Sequence, residues 1–136
     1  ISSEPVYAPD LYPTLLRAAG LSDQAQAGID GVDFTPLLQN PDATLKREAL
    51  YFHYPHYYQT TTPVSALRKG DWKLLEYYED NRLELFNLKQ DPGETQDIST
   101  ANPALARRLR MELDVWRKKI GAQLPEPNPD WKPRRK

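Results

Sequence analysis

Trp72-Lys73-Leu74-Leu75-Glu76-Tyr77-Tyr78, Glu79-Asp80-Asn81 and Arg82-Leu83-Glu84-Leu85-Phe86-Asn87-Leu88 follow one another near the middle of the chain. Two apolar, aromatic-rich runs flank three residues of turn chemistry, the pattern of an antiparallel hairpin. Alternation sets Trp72, Leu74 and Glu76 on one face of the first run and Lys73, Leu75 and Tyr77 on the other. Upstream, Val64 to Arg68 reads as a further strand, joined to the hairpin by a turn at Lys69-Gly70-Asp71. Ala49-Leu50-Tyr51-Phe52-His53-Tyr54 reads as another, stopped near Pro55. Downstream, Asp91-Pro92-Gly93-Glu94 is a turn. Asn102 is then an N-cap residue, Pro103 suits the first helical position, and Leu105, Leu109, Leu113, Trp116 and Ile120 recur at helical spacing until Gly121. This predicts an amphipathic helix of about five turns. Its apolar stripe is expected to lie across the sheet, with Arg107, Arg108, Arg110, Arg117 and Lys118 on or beside the wet face. The fold class is therefore α+β: a small four-stranded antiparallel sheet with a long C-terminal helix packed on one face.

Short helices precede this unit. Asp10-Leu11-Tyr12-Pro13-Thr14-Leu15-Leu16-Arg17-Ala18-Ala19-Gly20 predicts one, capped by Asp10, ended at Gly20 and burying Leu11, Leu15, Leu16 and Ala19 as one stripe. Gly28 to Asp33 is a turn-rich connector, and Phe34 to Leu38 a second short helix ended by Asn40-Pro41. These pieces are too small to bury their apolar faces against each other, so they read as the edge of something larger. Beyond Leu124, prolines at 125, 127, 129 and 133 make an extended tail, mobile or draped over a neighbour.

A length of 136 residues allows one ordinary domain. Eighteen Lys+Arg against nineteen Asp+Glu give a net charge of -1. That balance removes the electrostatic case for a dedicated nucleic-acid binder or a polybasic membrane binder. Residues 1–60 hold three Lys/Arg against seven Asp/Glu, and residues 101–136 hold ten against four, so an acidic body carries a basic end. With no cysteine, disulfides, zinc-thiolate sites, iron–sulfur clusters and cysteine nucleophiles are excluded. No apolar run approaches the ~20 residues of a membrane helix. The opening Ile1-Ser2-Ser3, without a starting Met or signal peptide, is expected of a processed or excised piece.

The two histidines both sit in His53-Tyr54-Pro55-His56-Tyr57-Tyr58. Imidazoles three apart among tyrosines suit metal binding, proton shuttling or a hydrogen-bonded anionic or sugar ligand. A strand ending in a proline turn aims them apart, which weakens a shared metal, and packing against backbone and Tyr hydroxyl partners is the bland alternative. Asp30, Asp33 and Asp42 read as caps and turn formers. Ser65, Ser99 and the Thr60-Thr61-Thr62 run lack a nucleophile motif and a nearby base, and no glycine-rich phosphate loop exists. The chain has no complete active site of its own.

The pieces in this order resemble a known family. Asp10-Leu11-Tyr12-Pro13-Thr14-Leu15-Leu16 with Ala19-Gly20, then Asp30-Gly31-Val32 with Pro36-Leu37-Leu38, is similar to the close of the catalytic domain in type I (formylglycine-dependent) sulfatases of the alkaline phosphatase superfamily. Leu50-Tyr51-Phe52-His53-Tyr54-Pro55-His56-Tyr57 is similar to a strand-and-turn motif of carbohydrate-acting members. Arg68-Lys69-Gly70-Asp71-Trp72-Lys73-Leu74, Glu84-Leu85-Phe86-Asn87-Leu88 and Asp91-Pro92-Gly93-Glu94 resemble the C-terminal subdomain. The last piece also occurs in phosphonate and phosphate monoester hydrolases.

The resemblance implies that residues 1–45 close a catalytic domain, 46–123 form the C-terminal subdomain, and 124–136 are a Pro-rich basic tail. It implies an arylsulfatase-like parent that hydrolyses sulfate esters, of a sulfated carbohydrate or an aryl sulfate, in the periplasm or after secretion. That parent would use calcium and a formylglycine made in a C/S-x-P/A-x-R motif. The motif and the family's metal-binding Asp pair are absent here, so no catalytic or metal residue carries over. His53 and His56 alone match a motif near the substrate pocket. The partner implied is the N-terminal catalytic domain of the same parent, which this piece would buttress. The competing expectation is a stand-alone interaction module, in which exposed Tyr54, Tyr57 and Tyr58 and the basic end grip a glycan or single-stranded nucleic acid.

Overall fold

The computed structural model describes residues 1–21, 27–126 and 128–130. The chain divides into two units, Ile1–Arg47 and Glu48–Lys136.

In the first unit a 3-10 turn, Ala8–Asp10, runs into helix α1, Leu11–Ala18, and helix α2 spans Thr35–Gln39. Asp10 is fully buried. Its carboxylate accepts the backbone N–H groups of Tyr7 (3.0 Å) and Val32 (2.9 Å) and two guanidinium nitrogens of Arg47 (2.7 and 2.9 Å). Burial alone would raise the pKa of this group, but Arg47 and the two amides more than offset it and hold the carboxyl below its usual range. Thr14 donates to the Asp10 carbonyl at 2.7 Å and accepts the N–H of Phe34 at 3.0 Å. A side chain on Gly31 would collide with the Pro9 carbonyl, which explains the glycine of Asp30-Gly31-Val32.

The buried residue of α1 is therefore Thr14, which corrects the expected apolar stripe. Leu11 and Leu15 are 51% and 64% exposed. Asp10 does precede α1, yet its side chain makes no cap bond to that helix. It is spent on Val32 and Arg47 instead.

In the second unit β1 (Leu50–Tyr54), β2 (Val64–Lys69), β3 (Trp72–Tyr77) and β4 (Leu83–Asn87) form one antiparallel sheet in sequence order. Helix α3, Pro103–Ile120, packs on one face. Register aligns Tyr51, Leu67, Leu74 and Leu85 in a row across the four strands. The three leucines of that row are fully buried and meet Ala106, Leu109 and Leu113 of α3. Tyr51 stacks on Trp116 with ring centroids 5.0 Å apart, closing the core at one edge. Gly121 takes the left-handed conformation (φ 62°) and ends α3.

Three helix details depart from expectation. Asn102 stands at the N-cap, but its side-chain amide donates back to the Ile98 carbonyl at 3.2 Å. Ile120 is half exposed. Arg117 is buried, because it continues the four-residue row of Leu109 and Leu113 on the face that meets the sheet. The tail expected at 124–136 falls in part on 127 and 131–136, outside the described residues; 124–126 carry no helix or strand.

Candidate functional site

Two positions along the strands from the leucine row lies a polar row, in which register pairs His53 with Ser65 and Ser65 with Glu76. Alternation puts this row on the same face as the core, beneath α3. Glu76, 3% exposed, accepts from the Arg117 Nη2 and the Arg110 Nε, each at 2.7 Å. Arg117 also donates to Asp114 and, through Nη1, to the Tyr78 hydroxyl at 2.7 Å. Burial opposes the Arg117 charge, but Tyr78, Asp114 and Glu76 outweigh it and raise its pKa.

The network continues from Tyr78. Its hydroxyl lies 2.6 Å from the Ser65 Oγ and 3.2 Å from the His53 Nδ1, and Ser65 Oγ lies 2.8 Å from that same nitrogen. His53 Nε2 is 2.8 Å from the backbone carbonyl of Gln123, just beyond the end of α3. A carbonyl only accepts, so Nε2 carries a proton and donates; in the neutral ring Nδ1 is then the acceptor. A continuous set of bonds thus runs from Gln123 through His53, Ser65 and Tyr78 to Arg117 and Glu76.

A serine 2.8 Å from an imidazole has the spacing of a nucleophile and its base. This corrects the expectation that Ser65 has no base nearby: strand register brings together residues twelve apart in sequence. Yet Ser65 is 1% exposed and its oxygen is shared between His53 and Tyr78. The arrangement ties the C-terminal end of α3 to the edge strand β1, and Arg117, expected on the wet face, is its centre.

His56 lies elsewhere. Beyond β1 the chain turns out of the sheet, and the backbones of Tyr58 and Thr61 pair (3.0 and 3.4 Å) around a tip of Gln59 and Thr60. His56 is exposed and packs edge-on against Tyr54, 5.7 Å between centroids; Tyr58 does likewise at 6.4 Å. Among the described residues nothing hydrogen-bonds the His56 ring. The two histidines therefore do not converge: one is half-buried at the C-terminal end of α3 with both nitrogens engaged, the other projects from a loop.

Calcium takes six to eight oxygen ligands, and among the described residues no group of three or more His, Cys, Asp or Glu converges on one point. A formylglycine needs its Cys or Ser within C/S-x-P/A-x-R, which the sequence lacks. The described residues fit neither group. No helix among them is long and apolar enough to cross a membrane.

The family model for N-sulphoglucosamine sulphohydrolase, C-terminal, matches residues 2–119. A sulfatase of Formosa agariphila is 30% identical over 129 residues, covering 85% of this chain and 23% of that protein. BT4656, solved in complex with its substrate D-glucosamine-2-N,6-O-disulfate, matches with a TM-score of 0.63 at 27% identity over 82% of this chain and 24% of its own. Ps i-CgsB, solved with k-i-k-neocarrahexaose, matches with a TM-score of 0.63 at 30% identity over 84% and 24%. The chain spans about a quarter of the length of these relatives.

Proposed function

This chain is a C-terminal part of a sulfatase and belongs to the family of N-sulphoglucosamine sulphohydrolase C-terminal regions; on that premise we propose that it serves a longer enzyme hydrolysing sulfate esters of a carbohydrate, whose catalytic domain it buttresses and whose cleft it walls on one side. The observation that carries this reading is the match over residues 2–119 by a chain that spans about a quarter of its relatives. The sugar ligands of BT4656 and Ps i-CgsB favour a carbohydrate over a simple aryl ester.

The surfaces support a buttress. Leu11 and Leu15 on α1 and Leu38 on α2 expose apolar side chains that the first unit does not cover. Phe52 and Tyr54, on the sheet face opposite α3, are 45% and 40% exposed. Apolar surface of this kind is what a catalytic domain would cover. In this reading residues 1–45 complete that domain, residues 46–123 stand beside it, and nucleophile, formylglycine and calcium belong to it. The chain by itself is inactive. A periplasmic or secreted location accompanies the substrate class.

His53 and His56 stand on the cleft side in different roles. His56, whose ring nitrogens are unengaged among the described residues, offers them to a hydroxyl or sulfate oxygen, while His53 fixes the end of β1 from which His56 is presented. The test uses the full-length protein that carries this chain. His56→Ala is expected to lower kcat/KM on a sulfated oligosaccharide roughly five- to 150-fold, the loss of one charged or neutral hydrogen bond. It should change 4-nitrophenyl sulfate turnover far less, since a small ester needs no orientation by an outer wall. Equal losses on both esters would remove His56 from the cleft. Calcium-dependent turnover by the purified 136-residue chain would overturn the division of labour.

A further inference from the structure

An open groove of about 380 Å³ lies between the tip of the β1–β2 loop and the β3–β4 turn, lined by Tyr57, Tyr58, Thr60, Thr62, Tyr77 and Arg82 among others. Neither the buried network nor His56 uses it. Its two walls are fastened to each other. Tyr57 donates from the loop to Glu79 of the turn at 2.7 Å and Tyr78 N–H donates to the Pro63 carbonyl at 3.0 Å, while the bond from Tyr77 N–H to the Arg82 carbonyl at 2.9 Å closes the β3–β4 turn itself. The space is thus formed before any ligand arrives.

Its chemistry is specific in kind. Tyr57 and Tyr58 are 69% and 63% exposed, so most of each aromatic side chain is open to a ligand, although the Tyr57 hydroxyl is spent on Glu79. Gln59 and the polar residues Thr60, Thr61 and Thr62 line the remainder. An apolar ligand would leave these polar groups without partners. An anion is disfavoured as well. Arg82 lies 4.0 Å over the Tyr77 ring and is already matched by Glu84 (3.4 Å) and Asp80 (4.0 Å), with Glu79 on the Tyr57 hydroxyl. Aromatic faces beside hydroxyls, with no cation to spare, suit a neutral pyranose ring: its C–H face stacks on a phenol while its hydroxyls exchange hydrogen bonds with Thr and Tyr.

We propose that this groove is a distal subsite for an unsulfated sugar residue of the oligosaccharide from which the full-length protein removes sulfate elsewhere. The inference rests on the glycan-sulfatase reading above and adds to it where the non-reacting end of the substrate sits. Binding energy gathered there favours long substrates over short ones.

The test measures sulfate release by the full-length protein from matched di- and hexasaccharides of carrageenan, whose alternate sugar is neutral, and of chondroitin sulfate and heparin, whose residues alternate in charge. The length ratios are read on carrageenan, and release from the two charged chains alone would overturn the subsite. Tyr58→Ala is expected to lower the hexasaccharide-to-disaccharide ratio of kcat/KM about five- to tenfold, mainly through KM, in keeping with a lost aromatic contact. Thr60→Ala, at the exposed tip, should lower it in the same direction by less and guards against a misfolded loop. Because the sugar is neutral, the wild-type ratio should hold between about 50 and 200 mM salt, where a site binding through charge would weaken. Equal losses on both lengths in both variants would show that the loop packs against protein, and would overturn the subsite alone. A ratio that collapses with salt would do the same. No sulfate release from any oligosaccharide by the wild-type protein would overturn the subsite and the glycan reading together.

Discussion

In Ile1–Arg47 the deepest side chains are Asp10 and Thr14; in Glu48–Lys136 they are chiefly Leu67, Leu74, Leu85, Leu109 and Leu113. The first unit is held by directional bonds that meet at one carboxylate, the second by apolar area spread over four strands and a helix. A buried leucine is worth ~1.5–3 kcal/mol and shares the load with its neighbours. A hydrogen bond contributes ~0.5–1.5 kcal/mol net, but removing the group on which several converge strands every partner at once. One unit should therefore fail at a single residue and the other should degrade by steps.

The sharpest way to break this contrast is Asp10→Ala in the 136-residue chain. It strips Tyr7, Val32 and Arg47 of their shared acceptor. Leaving a buried charge unpaired costs about 3–5 kcal/mol, more than the few buried contacts of the first unit can hold. Hydrogen exchange read by mass spectrometry should show amide protection lost over 1–47 and kept in β1–β4 and α3. Protection retained in both units would mean that the first does not hang on Asp10.

Glu76→Gln asks the same question of the second unit with a smaller expected answer. Arg117 and Arg110 lose their common charge partner, though Arg117 keeps Asp114, so about 1.5–3 kcal/mol of stability should go, yet the leucine core remains. The thermal midpoint should fall while the cooperative transition survives. Replacing the pair together, Glu76→Leu with Arg117→Met, should recover most of the loss, since well-packed apolar groups substitute for buried ion pairs. No recovery would mean that Tyr78 and Asp114 need the guanidinium more than the fold needs to be rid of it.

Acid titration separates the units most finely. The Asp10 pKa is depressed in the folded chain, so its stabilisation is fully present above the unfolded value near 3.9 and is lost as pH falls through the folded one. Asp97 is depressed as well: burial pushes it up, but the Leu85 and Ser99 amides and the Ser99 hydroxyl hold it down. Its loss leaves the leucine core in place. Below about pH 4 protection over 1–47 should therefore fail before that of the sheet. Simultaneous failure would erase the difference between the units.

Much of the second unit was legible because its signals are local. Alternation through Trp72–Tyr77 and Leu83–Asn87 and the four-residue spacing from Leu105 to Leu113 are properties of neighbours in the chain. The polar network was not. Ser65 stands twelve residues from His53, Arg117 forty-one from Glu76, and the Gln123 carbonyl seventy from the imidazole it accepts from. One signal could have exposed Arg117: it continues the Leu109–Leu113 row, and Glu76 shares a strand face with Leu74, so a cation and an anion stood on facing apolar surfaces. The loop groove had no such trace, since Tyr77 and Arg82 meet Tyr58 only through strand order.

What the sequence by itself determined is which segments become strands and helices and which face of each is apolar, because backbone geometry converts a period of two or 3.6 directly into a face. It also carried the order of motifs by which the family is known. What only the tertiary structure decided is which polar groups are enclosed and which apolar ones are left out. Leu11 and Leu15 have the spacing of a buried stripe and are exposed, while Asp10, Thr14, Glu76 and Arg117 have the chemistry of a surface and are buried. The reason is physical. An apolar residue is covered only if another surface is there to cover it, and a charge can be enclosed only where a partner from a distant segment satisfies it, neither of which a local pattern encodes.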